Sequence, residues 1–190
     1  MKKKSGLWTG AVLSLALLVS TSTVMAGEEP FGAAAVTEDR DYTLEEMLEY
    51  AIEDEYLAKA EYAAIMEEFD VTRPFSNIAK AEDRHIALLL PLFEKYDVPV
   101  PVNDAADRVI LPSSLEEIFQ IGVTAEEHNI AMYEQFLEQE LPADVELAFE
   151  RLQTASEHHL KAFERGGGNG EPQGRGNDGQ RGNGFRGQGR

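Results

Sequence analysis

The chain predicts an all-α protein, a four-helix bundle with one long crossover between its second and third helices. Three observations predict it. Four stretches repeat apolar residues at steps of three and four, the spacing of one helix face. Two of them open on a capping pattern, Thr43 with Glu46 and Ser114 with Glu117. The links between the four run short, long, short, and link length chooses among bundle topologies.

Ahead of the bundle, Lys2-Lys3-Lys4 makes a basic start, residues 7–19 an apolar run, and Val24-Met25-Ala26 a small-residue cleavage site. The run is short against the roughly 20 residues of a membrane span. The expectation is a signal peptide over residues 1–26, removed near Ala26, and a secreted or periplasmic protein without stable membrane insertion. Residues 27–42, acidic and alanine-rich, are expected to form a mobile lead.

The first helix follows its capping box to about residue 69, along Leu44, Leu48, Ala51, Glu55, Ala58, Tyr62, Ile65 and Phe69. After a turn at 70–74, the second runs over 75–96 along Phe75, Ile78, Glu82, His85, Leu89, Leu92 and Tyr96. Residues 97–112 are rich in Val, Pro and Asp and have no regular period. The third helix should end near residue 140, with Leu115, Phe119, Gly122, Glu126, Ile130, Tyr133 and Leu137 on its stripe. Leu141-Pro142 makes a tight connection, Pro being suited to a helix start. The fourth helix runs to about residue 165 along Val145, Phe149, Leu152, Ser156, His159 and Phe163.

The link at 97–112 can reach up to roughly 50 Å when extended. A 26-residue helix is only about 39 Å long. The link can therefore cross the whole bundle, as a plain up-down-up-down arrangement does not require. The bundle domain is thus placed at 43–165. Residues 166–190 hold eleven of the sixteen glycines, mixed with Arg, Asn and Gln. That composition predicts a disordered tail. Arg-Gly tracts can bind RNA, but for an exported protein a solvated end is expected and nucleic acid is not a partner.

Residues 27–165 carry ten Lys and Arg against thirty-three Asp and Glu, a net charge of −23. Such a surface repels nucleic acid and anionic lipid and attracts cations. The chain has no cysteine, which excludes disulfides, thiolate metal sites and covalently attached c-type haem.

The polar residues on the four stripes are few. The first helix contributes Glu55, the second Glu82 and His85, the third Glu126, the fourth Ser156 and His159. Each falls near the middle of its helix, so in an antiparallel bundle all six face one cavity. Glu82 and His85, three residues apart, converge on one point. Three carboxylates with two imidazoles form a ligand set for non-haem iron, with manganese as the alternative. A metal-free polar network would have to keep three glutamates charged against only two histidines. Glu127, His128, Glu157 and His158 lie off the stripes and are expected at the surface.

Glu55-x-x-Ala58-x-x-x-Tyr62 with Glu82-x-x-His85 resembles the first half of the rubrerythrin branch of the ferritin-like superfamily. Glu126 with Tyr133 resembles the start of its second half. The phrases Leu57-Ala58, 75–78 and 155–163 are similar to a bacterial and archaeal ferritin-like family of unknown function. The resemblance covers residues 53–165 and implies a ferritin-like bundle with a di-iron centre, or a single iron. It implies Glu55 and His85 on one iron, Glu82 bridging, and Glu126 with His159 on the second. Tyr62 and Tyr133 would orient the terminal glutamates. Ser156 stands where that pattern has a second bridging glutamate, and Asn129 where rubrerythrins carry an extra one. The function so implied is reaction with oxygen or peroxide, or oxidation of Fe(II). The contrasting reading is a non-catalytic module that binds metal ions or a partner. The oligomeric state, a homo-oligomer included, stays open.

Overall fold

The computed structural model describes residues 31–37 and 40–168. The signal-peptide reading, residues 27–30 of the lead and the tail beyond residue 168 fall outside them. Five helices, α1 (Leu44–Glu68), α2 (Phe75–Lys95), the single turn α3 (Ala105–Arg108), α4 (Leu115–Leu137) and α5 (Ala143–Gly168), follow a 3-10 turn at Gly32–Ala35. No strand occurs among the described residues.

Local chemistry explains the helix ends. Thr43 Oγ1 accepts from the Glu46 amide at 3.2 Å, and Glu46 accepts from the Thr43 amide at 2.9 Å, closing a capping box. Ser114 likewise accepts from the Glu117 amide at 3.3 Å. The Glu117 carboxylate, however, reaches one residue further back, to the amide and hydroxyl of Ser113. Past the ends of α1 and α2 stand Asp70 and Asp97, with φ of 48° and 55°. Aspartate tolerates this left-handed conformation better than bulkier residues do, so it ends a helix where glycine often would.

Two aromatic cores define the topology. One gathers Leu48 and Ile52 of α1, Leu89 and Phe93 of α2, Met132 and Phe136 of α4, and Val145 and Phe149 of α5. The other gathers Tyr62 and Ile65, Phe75 and Ile78, Ile118, and Phe163. The first core thus takes the starts of α1 and α5 and the ends of α2 and α4. So α1 and α5 run one way, α2 and α4 the other, as only a link crossing the bundle from α2 to α4 permits. This is the ferritin-like arrangement, and the polar level lies between the two cores.

Three expectations change. The stretch read as a mobile lead is seated at residues 31–37 and 40–42: Phe31, Ala33 and Tyr42 are buried, and Arg108 of α3 lies over the Phe31 ring at 4.3 Å. Burial of two aromatic rings outweighs the polar composition that suggested mobility. The crossover, read as irregular, contains α3, which packs on α1. Helix α5 continues past residue 165 to Gly168, and a Cβ on Gly166 would run into the Phe119 ring of α4. The first glycine assigned to the tail is there because the helices approach too closely for a side chain.

Candidate metal centre

Four helices bring the polar stripe residues into one enclosed space. Asp54, Glu55, Ala58, Glu82, His85, Glu126, Asn129, Ser156 and His159 line it, around a void of about 10 Å³. That is room for one water-sized body. Glu82 and Glu126 are each 2% exposed, Glu55 and Ser156 6%, Asn129 9%. All nine residues predicted for the site meet here or directly behind it. Glu127, His128, Glu157 and His158 are exposed, as their off-stripe positions require.

The first half of the centre is tied together. His85 Nδ1 donates to Glu82 Oε2 at 2.7 Å and approaches Glu55 Oε2 at 3.1 Å. Burial alone would lower the His85 pKa, but the hydrogen bonds and charges of Glu55 and Glu82 override it and hold it up at about 10. Burial also pushes the Glu82 carboxyl up, to about 7. One proton is therefore held between an imidazole and two carboxylates, with its stronger claim on His85. Glu55, Glu82 and His85 each offer one ligand atom, and these atoms lie within 4.8 Å of one another.

The second half is looser. His159 Nδ1 stands 3.4 Å from Glu126 Oε1 and 3.5 Å from Glu82 Oε1, too far for strong hydrogen bonds. Glu82 therefore faces both histidines, whose ring centroids are 5.8 Å apart. Glu126 Oε2 and Asn129 Oδ1 are buried acceptors with no hydrogen-bond partner. Leaving such atoms unpaired costs about 1–3 kcal/mol each, more for a charged one, which makes the cavity a place that attracts a donor or a cation.

The tyrosines cross between hairpins. Tyr62 of α1 donates to Glu126 of α4 at 3.2 Å, and Tyr133 of α4 donates to Glu55 of α1 at 3.4 Å. Burial raises both phenols well above their usual pKa, so each stays a neutral donor. Aromatic rings close the cavity above and below: Tyr62, Phe75, Phe119 and Phe163 on one side, Tyr133, Phe136 and Phe149 on the other.

Asp54 is the residue the stripes did not reveal. It stands one place off the stripe, in an unbroken acidic triplet with Glu53 and Glu55. Asp54 Oδ1 accepts from the Ala33 amide at 3.1 Å, and Glu53 accepts from the Gly32 amide at 3.2 Å. Burial lifts its carboxyl to about 7, against the lowering effect of hydrogen bonds from Ala33 and Asn129. Nothing in helical periodicity marks it, because the element that covers it lies outside the helices.

Residues 46–166 match the family model described as Rubrerythrin. The uncharacterized protein MJ0754 of Methanocaldococcus jannaschii is 27% identical to this chain over 128 residues, 60% of this chain and 69% of that protein. The crystal structure of hypothetical protein MJ0754 from Methanococcus jannaschii aligns with a TM-score of 0.60 at 24% identity, over 73% of this chain and 90% of that one. The likeness is one of fold.

Proposed function

The chain belongs to the rubrerythrin family, and from that premise we propose that its buried ring is a non-haem di-iron centre that reacts with oxygen or peroxide, or oxidises Fe(II). The observation that carries this reading is the charge of the ring. Glu55, Glu82 and Glu126, all buried, converge with only two imidazoles, His85 and His159, and Glu126 keeps one oxygen unpaired. Buried carboxylates in excess are costly unless a cation joins them. Oxygen and imidazole donors without thiolate suit iron, and suit manganese as well.

Glu55, Glu82 and His85 would hold one metal, and Glu126 and His159 a second, with Glu82 facing both. Bound there, the metals supply Lewis acidity and electron transfer. The protein's own part is positional. Tyr62 and Tyr133 each hold one oxygen of a terminal carboxylate and so fix its orientation. The aromatic layers keep bulk water away, and a void of about 10 Å³ leaves no room for an organic substrate. The amino-terminal pattern supports export, for which the check is a mature chain beginning near Gly27.

Elemental analysis of the mature protein, followed by anaerobic Fe(II) loading and exposure to oxygen or peroxide, tests the reading. Close to two irons per chain and an absorbance change with oxidant consumption are expected. Failure to bind any divalent metal would sink it. Metal binding without consumption of either oxidant would favour the alternative, a non-catalytic metal-binding module.

A further inference from the structure

The seam between α1 and α4 is closed on one side of the metal cavity and thin on the other. Glu55 and Tyr62 on α1 recur 71 positions later as Glu126 and Tyr133 on α4, so the two hairpins are copies of one frame. The same step takes Asp54 to Ala125 and Ala58 to Asn129. Asp54 and Asn129 meet across the seam through a hydrogen bond, and the Gly32–Ala35 turn packs on both helices there. The equivalent crossing is Ala125 with Ala58, two methyl groups in place of a bonded pair. Ala125 is exposed, and Ala58, which lines the void, is only half-buried.

Because α1 and α4 are antiparallel, Glu61, one turn beyond Ala58, comes opposite Gly122. Both line a hollow of about 40 Å³ with Ala125 and with residues 110–112 at the end of the crossover. Glu61 is the one charged group among otherwise apolar neighbours such as Ile65, Ile118 and Ile121. It makes no hydrogen bond or ion pair among the described residues, and burial alone raises its carboxyl to about 7.

We propose that divalent cations enter the metal cavity through this window beside Ala58 and Ala125, and that Glu61 is the carboxylate that takes them first. The inference rests on the metal-centre reading above and deepens it. Both ends of the path hold acceptors without a donor: Glu61 outside, and the buried Glu126 Oε2 and Asn129 Oδ1 inside. A cation that sheds water on the way in thus meets a fixed oxygen at each stage, which offsets the cost of leaving solvent. The other walls suit it less. Aromatic rings close the cavity above and below. On the α2–α5 side stand His85 and His159, both facing Glu82, so a cation arriving there meets rings and no free carboxylate.

The test is stopped-flow loading of the metal-free full chain with Co(II) at fixed pH, release of bound Co(II) into excess chelator, and equilibrium titration. Glu61→Gln should slow loading about tenfold, within the range that electrostatic steering adds to on-rates. Ala125→Leu, which fills the window from outside, should slow it at least as much. An entrance acts on both directions alike, so release should slow by the same factor and affinity should stay unchanged. Glu157→Gln makes the same charge change at an exposed site on α5 and should load at the unsubstituted rate. Loading that neither seam substitution slows, or that Glu157→Gln slows equally, would overturn the inference and leave the metal centre intact. Weaker affinity with faster release in Glu61→Gln would overturn it too, by placing Glu61 among the groups that hold the bound cation. No Co(II) binding by the unsubstituted chain would overturn the metal centre itself. The Glu61 arm stands even if the leucine variant fails to fold.

Discussion

The α1–α2 hairpin and the α4–α5 hairpin carry the same polar frame, yet only the first draws its frame together. Glu55, Glu82 and His85 share a proton over contacts of 2.7 and 3.1 Å. Glu126 and His159 stand 3.4 Å apart, and Glu126 and Asn129 each keep an oxygen unsatisfied. The first hairpin is also clamped from outside, by the Gly32–Ala35 turn on Glu53 and Asp54. One carboxylate at position 82, against a hydroxyl at 156, accounts for most of the contrast.

The strongest attempt to break this comparison is His85→Ala beside His159→Ala. The first removes the imidazole that bridges two buried carboxylates, so cation affinity should fall by at least about 100-fold. The second should weaken only the later of two binding steps. Equal losses in a Co(II) titration would show that the halves are equivalent.

A smaller difference is expected from the tyrosines. Tyr62→Phe leaves Glu126 with His159 at 3.4 Å as its nearest donor, and should reduce second-step affinity about tenfold. Its cost to folding should be about 1 kcal/mol. Tyr133→Phe removes a longer bond, from a glutamate that keeps His85, and should do less in both chemical denaturation and titration. The reverse order would mean that the second half is the better organised.

Packing differs between the hairpins too. Gly122 stands where the first copy has Ala51, because a Cβ there would meet three atoms of the buried Phe163 ring at 2.9–3.0 Å. Gly122→Ala gains up to about 1 kcal/mol in helix propensity. It loses about 1–3 kcal/mol to overpacking. A net loss of about 1 kcal/mol is expected by urea denaturation, and a gain would show that α4 and α5 can part without strain.

The smallest effect lies at the seam between the halves. Lys95 and Tyr96, at the end of α2, hydrogen-bond to Asp144 at the start of α5 and hold its carboxyl down at about 2. A depressed carboxyl stabilises the fold above its unfolded pKa of 3.8 and ceases to as the pH falls through about 2. Asp144→Asn should therefore lower the melting temperature slightly at pH 5, and the gap should close between pH 4 and pH 2. A gap that persists at pH 2 would assign the effect to packing.

The amino-acid sequence by itself determined the helices, the crossover and the level at which Glu55, Glu82, His85, Glu126, Ser156 and His159 meet. Caps act within four residues, and a stripe of period 3.6 needs no knowledge of its partner, so both are legible locally. Tertiary structure decided the rest. The buried face of α4 runs through Ile118, Asn129, Met132 and Phe136, and leaves Leu115, Phe119, Ile130 and Leu137 half-buried. Rotation of a helix by a fraction of a turn is set by what packs on it, here Phe163 against Gly122, and periodicity cannot fix it that finely. Asp54 entered the cavity, and Phe31 the core, only because an amino-terminal turn folds back across α1. Contacts between distant segments that lack a repeat leave no trace in local pattern, and those contacts decide which acceptor oxygens are left without a partner.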